Sequence, residues 1–92
     1  MFTVYALYNS EKNKIYIGQT QDIAVRLKRH NGELPNKNTS FTKRNKGIWS
    51  IVHEEHLETR HEAIIRERQL KTQKGREFIW NIVKVLVTVV QR

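Results

Sequence analysis

Tyr5, Tyr16, Arg26, His30 and Glu67 supply between them the side chains that water-driven cleavage of a phosphodiester needs. Attack by water calls for a base to take the water's proton, cations to stabilise charge on the phosphoryl oxygens, and a group to neutralise the leaving oxygen. Phenol, imidazole and guanidinium answer the first two demands. A lone carboxylate suits Mg²⁺ or Mn²⁺, because Mg²⁺ keeps much of its water and binds through one or two carboxylates plus substrate phosphate, so Glu67 is the metal-ligand candidate. An ordinary tyrosine titrates near pH ~10, and a phenolate base therefore requires cations such as Arg26 beside it. Taken singly, the tyrosines suit strand packing, Arg26 a solvated helix face, His30 a cap, and Glu67 a surface ion pair. Only the combination points to chemistry.

These residues must be carried by strands and helices. Phe2 to Tyr8 is rich in aromatic and β-branched residues and predicts a strand over 2–8; the polar run Asn9 to Asn13 suits a hairpin turn with its second arm over 14–18. A turn folded around Ser10 or Glu11 sets Tyr5 opposite, or nearly opposite, Tyr16, where Cβ atoms lie about 5 Å apart and two phenols can converge. Thr20 or Asp22 can cap a helix over 22–30, with Ile23 and Leu27 on an apolar stripe and Arg26 and His30 stacked at i and i+4. From Asn31 to Gly47 the chain is polar, contains Pro35, and carries Lys37, Lys43, Arg44 and Lys46 against Glu33, which makes a candidate substrate-contacting loop.

A third strand is predicted over 48–54. Thr59-Arg60-His61-Glu62 has the form of a capping box opening a helix over 59–73, on which Glu67 falls between Ala63 and Ile64 and shares the side of Leu70. A carboxylate on that arc faces the core or a cleft, where a solvated one would lie opposite. Gly75 breaks the pattern, and Phe78, Ile79, Ile82, Val83, Leu86 and Val90 recur at helical spacing, predicting a helix over 76–90, although the β-branched run 83–90 also suits a strand. The succession of periods predicts an α/β (α+β) fold: a three-stranded antiparallel sheet flanked by helices.

A chain of 92 residues has room for one domain over 1–92 around one modest core. Lys and Arg total 17 against 9 Asp and Glu, a formal charge of +8, which points to a polyanionic partner: nucleic acid first, an anionic membrane surface second. Arg29 and the basic loop are the candidates to grip it. The absence of cysteine excludes disulfides, thiolate zinc sites and a cysteine nucleophile. His53, His56 and His61 make a poor zinc site, since positions 53 and 56 point to opposite faces of a strand. The start Met1 to Tyr5 lacks the pattern of a signal peptide, and Asn81, Lys84 and Thr88 interrupt the apolar tail, so no membrane span and a cytoplasmic location are expected.

Thr3-Val4-Tyr5, then Tyr16-Ile17-Gly18, then Arg26 and His30 within Arg-Leu-Lys-Arg-His-Asn, then Glu67 closing Glu62-Ala63-Ile64-Ile65-Arg66-Glu67, follow one another in an order that resembles the GIY-YIG nuclease superfamily of homing, restriction and repair endonucleases. The likeness runs from about Thr3 to Asn81 and is closest to small single-domain members resembling the nuclease module of the bacterial excision-repair incision subunit. It implies a metal-dependent endonuclease acting on nucleic acid, DNA ahead of RNA, through a tyrosine-activated water and one Mg²⁺. Tyr5, Tyr16, Arg26 and His30 would be catalytic, Glu67 the metal ligand, and Asn81 would lie beside the scissile phosphate. Thr3 stands where the family name has glycine, which touches the backbone more than the chemistry. Family nucleases usually carry a separate DNA-binding domain, so a protein partner supplying specificity is also implied.

The competing reading is a non-catalytic nucleic-acid-binding module on the same scaffold. Glu67 discriminates, because a carboxylate facing a phosphate site repels the ligand unless a cation lies between them. A protein-interaction surface built from Trp49, Trp80 and the C-terminal apolar run is a third possibility.

Overall fold

The computed structural model describes residues 1–32 and 47–90. Strand β1 (Phe2–Asn9) runs through the middle of a three-stranded sheet of order β2-β1-β3, with β2 (Lys14–Thr20) and β3 (Trp49–Leu57) antiparallel on either side. Helix α1 (Ile23–His30) covers one face, and α2 (Arg60–Lys71) with α3 (Gln73–Val90) covers the other. Thr3 to Leu7 are therefore all buried, and the central strand reads as one unbroken run where a half-exposed strand would alternate. The architecture is the one expected from the sequence. No helix among the described residues is long and apolar enough to cross a membrane.

The hairpin turn occupies 10–13. Asn13 takes a left-handed conformation at φ 52°, and the buried Asn9 side chain accepts from the Lys12 amide at 3.1 Å. This turn sets Tyr5 opposite Gly18 and Leu7 opposite Tyr16, so the tyrosines are diagonal neighbours on one face and not a direct pair. The parity of the expected register survives and its centre moves. On the other side of β1, a bulge at Val52 lets Ala6 pair with His53 and Leu7 with Ile51.

Side chains at alternate positions feed two cores. Val4 and Ala6 join Ile15, Ile17, Ala63, Leu70, Ile79 and Val83 beneath α2 and α3; Tyr5, Leu7 and Trp49 meet Ile23 and Leu27 of α1. Each fully buried aliphatic side chain contributes about 1.5–3 kcal/mol. Trp49, only 1% exposed, belongs to the core and is not available to an interaction surface.

Helix ends follow capping chemistry. Asp22, not Thr20, caps α1 by accepting from the Val25 amide at 3.1 Å, while Thr59 and Glu62 form the expected reciprocal box at the start of α2. The break between α2 and α3 falls at Thr72, whose hydroxyl donates to the Gln69 carbonyl at 2.6 Å and accepts from the Gly75 amide at 3.2 Å. Gly75 thus lies inside the first turn of α3, contrary to its reading as the breaker. What requires glycine there is proximity: a Cβ would collide with the Gln69 carbonyl and the Leu70 backbone. The β-branched run that follows is helical to Val90, since Ile79 and Val83 find the core at helical spacing.

Candidate active site

Tyr5 is fully buried beneath α1, and its hydroxyl holds the site together. The Arg26 Nε donates to the Tyr5 oxygen at 3.3 Å, and His30 Nε2 lies 2.9 Å from the same atom. With Arg26 donating into that oxygen, the phenol keeps its own proton to give, and a neutral His30 ring takes it as a hydrogen bond in the tautomer whose Nε2 is bare. Burial, aided by the Arg26 charge, lowers the His30 pKa to about 4. Burial also raises the Tyr5 phenol to about 12, against the pull of Arg26.

Tyr16 completes the group from β2. Its ring lies 4.6 Å from the His30 ring and 6.2 Å from the Tyr5 ring, and unlike Tyr5 it is only half-buried. Arg26 serves both phenols. Desolvation works against its charge, yet the hydrogen bond to Tyr5, the two phenols' charges and a bond to Tyr16 hold the guanidinium pKa above its ordinary value. Gly18 makes the approach possible, because a Cβ there would sit 2.8 Å from the Tyr5 oxygen and 2.9 Å from the Tyr16 ring. The glycine leaves the space into which the two rings lean.

Two stitches fix α1 over this face. Its last turn carries the cations Lys28 and Arg29, which suit the negative end of the helix dipole, and the Asn31 side chain then bridges to β3. Asn31 Oδ1 accepts from the Trp49 amide at 2.6 Å and Nδ2 donates to the Trp49 carbonyl at 3.1 Å. Arg29 is exposed on the outer side of α1.

Glu67 comes from the opposite side of the sheet. Its side chain is 19% exposed, accepts from Lys71 Nζ at 2.7 Å, and lies close enough for its charge to contribute to the raised Tyr5 pKa. Ala63 and Leu70 on the same helix are buried, which agrees with the arc expected for Glu67. The described residues contain no cluster of three or more His, Cys, Asp or Glu that could cage a metal. A single partly exposed carboxylate fits Mg²⁺, which retains its waters, and does not fit a dehydrated all-protein site.

Of the remaining candidates, Lys37, Lys43, Arg44 and Lys46 lie outside the described residues. Asn81 is not brought to the phenols: it is exposed on α3 beside Phe78, Ile82, Val85 and Leu86. The three histidines do not gather. His56 bonds Thr3 at 3.2 Å on the α1 face, His53 bonds Glu55 at 2.7 Å on the other, and His61 is exposed.

Sequence reasoning missed two anchors. Lys71 had a visible signal, its i+4 spacing from Glu67. The second is the fork from Arg66 to Glu55, with Nε at 2.7 Å and Nη2 at 3.0 Å, which ties α2 to β3 and, with His53, holds the Glu55 carboxyl below its usual range. Nothing local in the sequence announces that pair.

A family model described as the GIY-YIG catalytic domain matches residues 1–81. No curated protein and no solved structure matches the chain.

Proposed function

The chain belongs to the GIY-YIG catalytic-domain family, a nuclease-type domain with nucleic acid as substrate, and we propose that it is an endonuclease hydrolysing phosphodiester bonds in DNA. The observation that carries this reading is one guanidinium shared by two phenols, with a neutral imidazole on the buried phenol and a carboxylate within electrostatic reach. A packing cluster has no use for a cation between phenols. Phosphoryl transfer has, because negative charge builds there.

Exposure divides the roles. Tyr16 is the phenol that solvent reaches, so it meets the attacking water and takes its proton as phenolate. Tyr5 is sealed under α1 and acts through others: it fixes the Arg26 guanidinium and receives the His30 ring. Arg26 stabilises negative charge on the phenol oxygen and, with its remaining N–H groups, on the phosphoryl oxygens. His30 stays neutral at pH 7 and so can accept a hydrogen bond from the Tyr5 hydroxyl, which keeps the phenol and the guanidinium in place. Glu67 is the residue to hold Mg²⁺ or Mn²⁺, which when bound polarises the phosphate and neutralises the leaving oxygen. The Lys71 ammonium now on Glu67 would be displaced; an i,i+4 pair of this kind is worth only about 0.3–0.5 kcal/mol.

Arg29 and the basic residues between 33 and 46 are proposed to grip the backbone, and a partner protein to add specificity. The test is a panel of labelled duplex, flap, single-stranded DNA and RNA substrates with Mg²⁺, Mn²⁺ or chelator. Metal-dependent cleavage supports the proposal. Binding without cleavage of any substrate would replace it with the non-catalytic module.

A further inference from the structure

Among the described residues strand β2 is an edge of the sheet, paired there with β1 alone, so that the polar groups on its other side have no strand partner among them. Along that edge runs a cleft of about 540 Å³, lined by Lys14, Tyr16, Lys71, Arg76 and Trp80 among others. Lys14 and Arg76 are exposed, and neither forms an ion pair among the described residues. Lys71 closes the cleft on the side of Glu67. Trp80 is half-buried, edge-on to Tyr8 at 6.0 Å, and the part of its indole left uncovered borders the cleft. Tyr16 joins the cleft to the cluster under α1.

We propose that this cleft holds one unpaired nucleotide of the substrate strand beside the scissile phosphate, its phosphates on Lys14 and Arg76 and its base against Trp80. The inference rests on the endonuclease reading and narrows it to substrates with a single-stranded nucleotide next to the cut, such as flaps, overhangs or single strands. Three observations select that occupant. The volume falls within the roughly 300–1,000 Å³ range of small-ligand pockets and so suits a nucleotide. Unneutralised cations select an anion over a peptide strand that could otherwise add to the β2 edge. An indole beside them offers a stacking surface, the combination by which single strands are gripped. A base inside a continuous duplex has both faces covered and cannot reach it.

Intrinsic fluorescence reads this directly. The chain has two tryptophans, and Trp49 is 1% exposed, so quenching by an added oligonucleotide reports Trp80. Titration of the full chain with oligothymidylate, in chelator so that no cleavage intervenes, should quench to saturation. A blunt duplex of equal length should bind about tenfold more weakly or worse. Lys14→Gln with Arg76→Gln, both exposed and without structural bonds, should lower oligothymidylate affinity about tenfold. The same pair should reduce the slope of log affinity against log salt by about 0.7 for each phosphate no longer neutralised. Equal affinity for duplex and single strand, absence of quenching, or an unchanged slope in the double variant would each overturn the assignment. Cleavage is scored separately with metal present, so failure of the endonuclease reading is seen apart from failure of the cleft.

Discussion

The two faces of the sheet are built from alternate residues of the same strand and use burial differently. Beneath α2 and α3, Val4 and Ala6 meet buried aliphatic side chains, with Phe2, Tyr8 and Trp80 packed around them, a core held by shape and exclusion of water. Beneath α1, the intervening positions bury Thr3, Tyr5 and Asn9, and α1 adds His30. No buried side-chain nitrogen or oxygen among the described residues lacks a hydrogen-bond partner. Apolar packing tolerates small changes of shape, whereas a hydrogen-bonded cluster loses a partner outright when one member changes. One face therefore provides stability and the other a fixed arrangement of groups, with Glu67 as the aliphatic side's contribution to the proposed site.

That contrast breaks first, and most sharply, at Glu67. Glu67→Gln should lower the single-turnover cleavage rate by about 10²-fold or more while leaving substrate affinity largely intact, and chelator should do the same to the unaltered protein. Wild-type cleavage by the variant would remove Glu67 from the chemistry. Next, the tyrosines should separate. Tyr16→Phe should cost about 10²-fold in rate with the thermal midpoint nearly unchanged. Tyr5→Phe should instead cost about 1–3 kcal/mol of stability, because Arg26 and His30 lose their shared partner. The opposite pattern would transfer the base to Tyr5.

On the aliphatic face, Leu70→Ala should destabilise by about 2–5 kcal/mol in denaturant melts and leave the cleavage rate per folded molecule unchanged. A large loss of specific activity would show that the two faces are not separable. The polar face should carry a pH dependence instead. His30 in the folded chain sits at about 4, below its ordinary value, so the unfolded chain binds the proton first as pH falls. Stability is then fully present above pH ~6.5 and declines toward pH ~4, by up to about 3 kcal/mol, and His30→Gln should flatten that decline. Tyr5, raised to about 12, predicts the mirror image, with stability lost as pH rises from the ordinary phenol value toward 12. The smallest effect belongs to the Asp22 cap, where Asp22→Ala should cost about 1 kcal/mol and loosen α1 over the phenols.

How much of this the sequence disclosed depended on the range of the interaction. The strands, the Thr59 capping box and the apolar arc of Glu67 are local patterns and are legible in the order of residues. The hairpin register is not, because Asn13 at φ 52° displaces the turn's centre and no spacing rule foretells it. Gly75 misleads because a glycine needed for close approach looks like one needed to end a helix. The stitches from Asn31 to Trp49 and from Arg66 to Glu55 join residues far apart in the chain, so only the assembled fold reveals them. Convergence of Tyr5, Tyr16, Arg26 and His30 is foreseeable for the opposite reason: all four lie on consecutive elements.

The strand order β2-β1-β3 has a consequence for the time course of folding. Pairing of β1 with β2 closes only the short turn over 10–13, an event of about 1–10 μs, whereas β3 must return to β1 across α1 and everything up to residue 49. Loop closure delays the second pairing relative to the first. The two phenols therefore meet during the earliest collapse and α1 can settle on them at once, while Glu67 arrives only after β3 has docked and α2 has followed. On this order of pairing the proposed site is assembled from the N-terminal end outward, and its carboxylate is the last member to take its place.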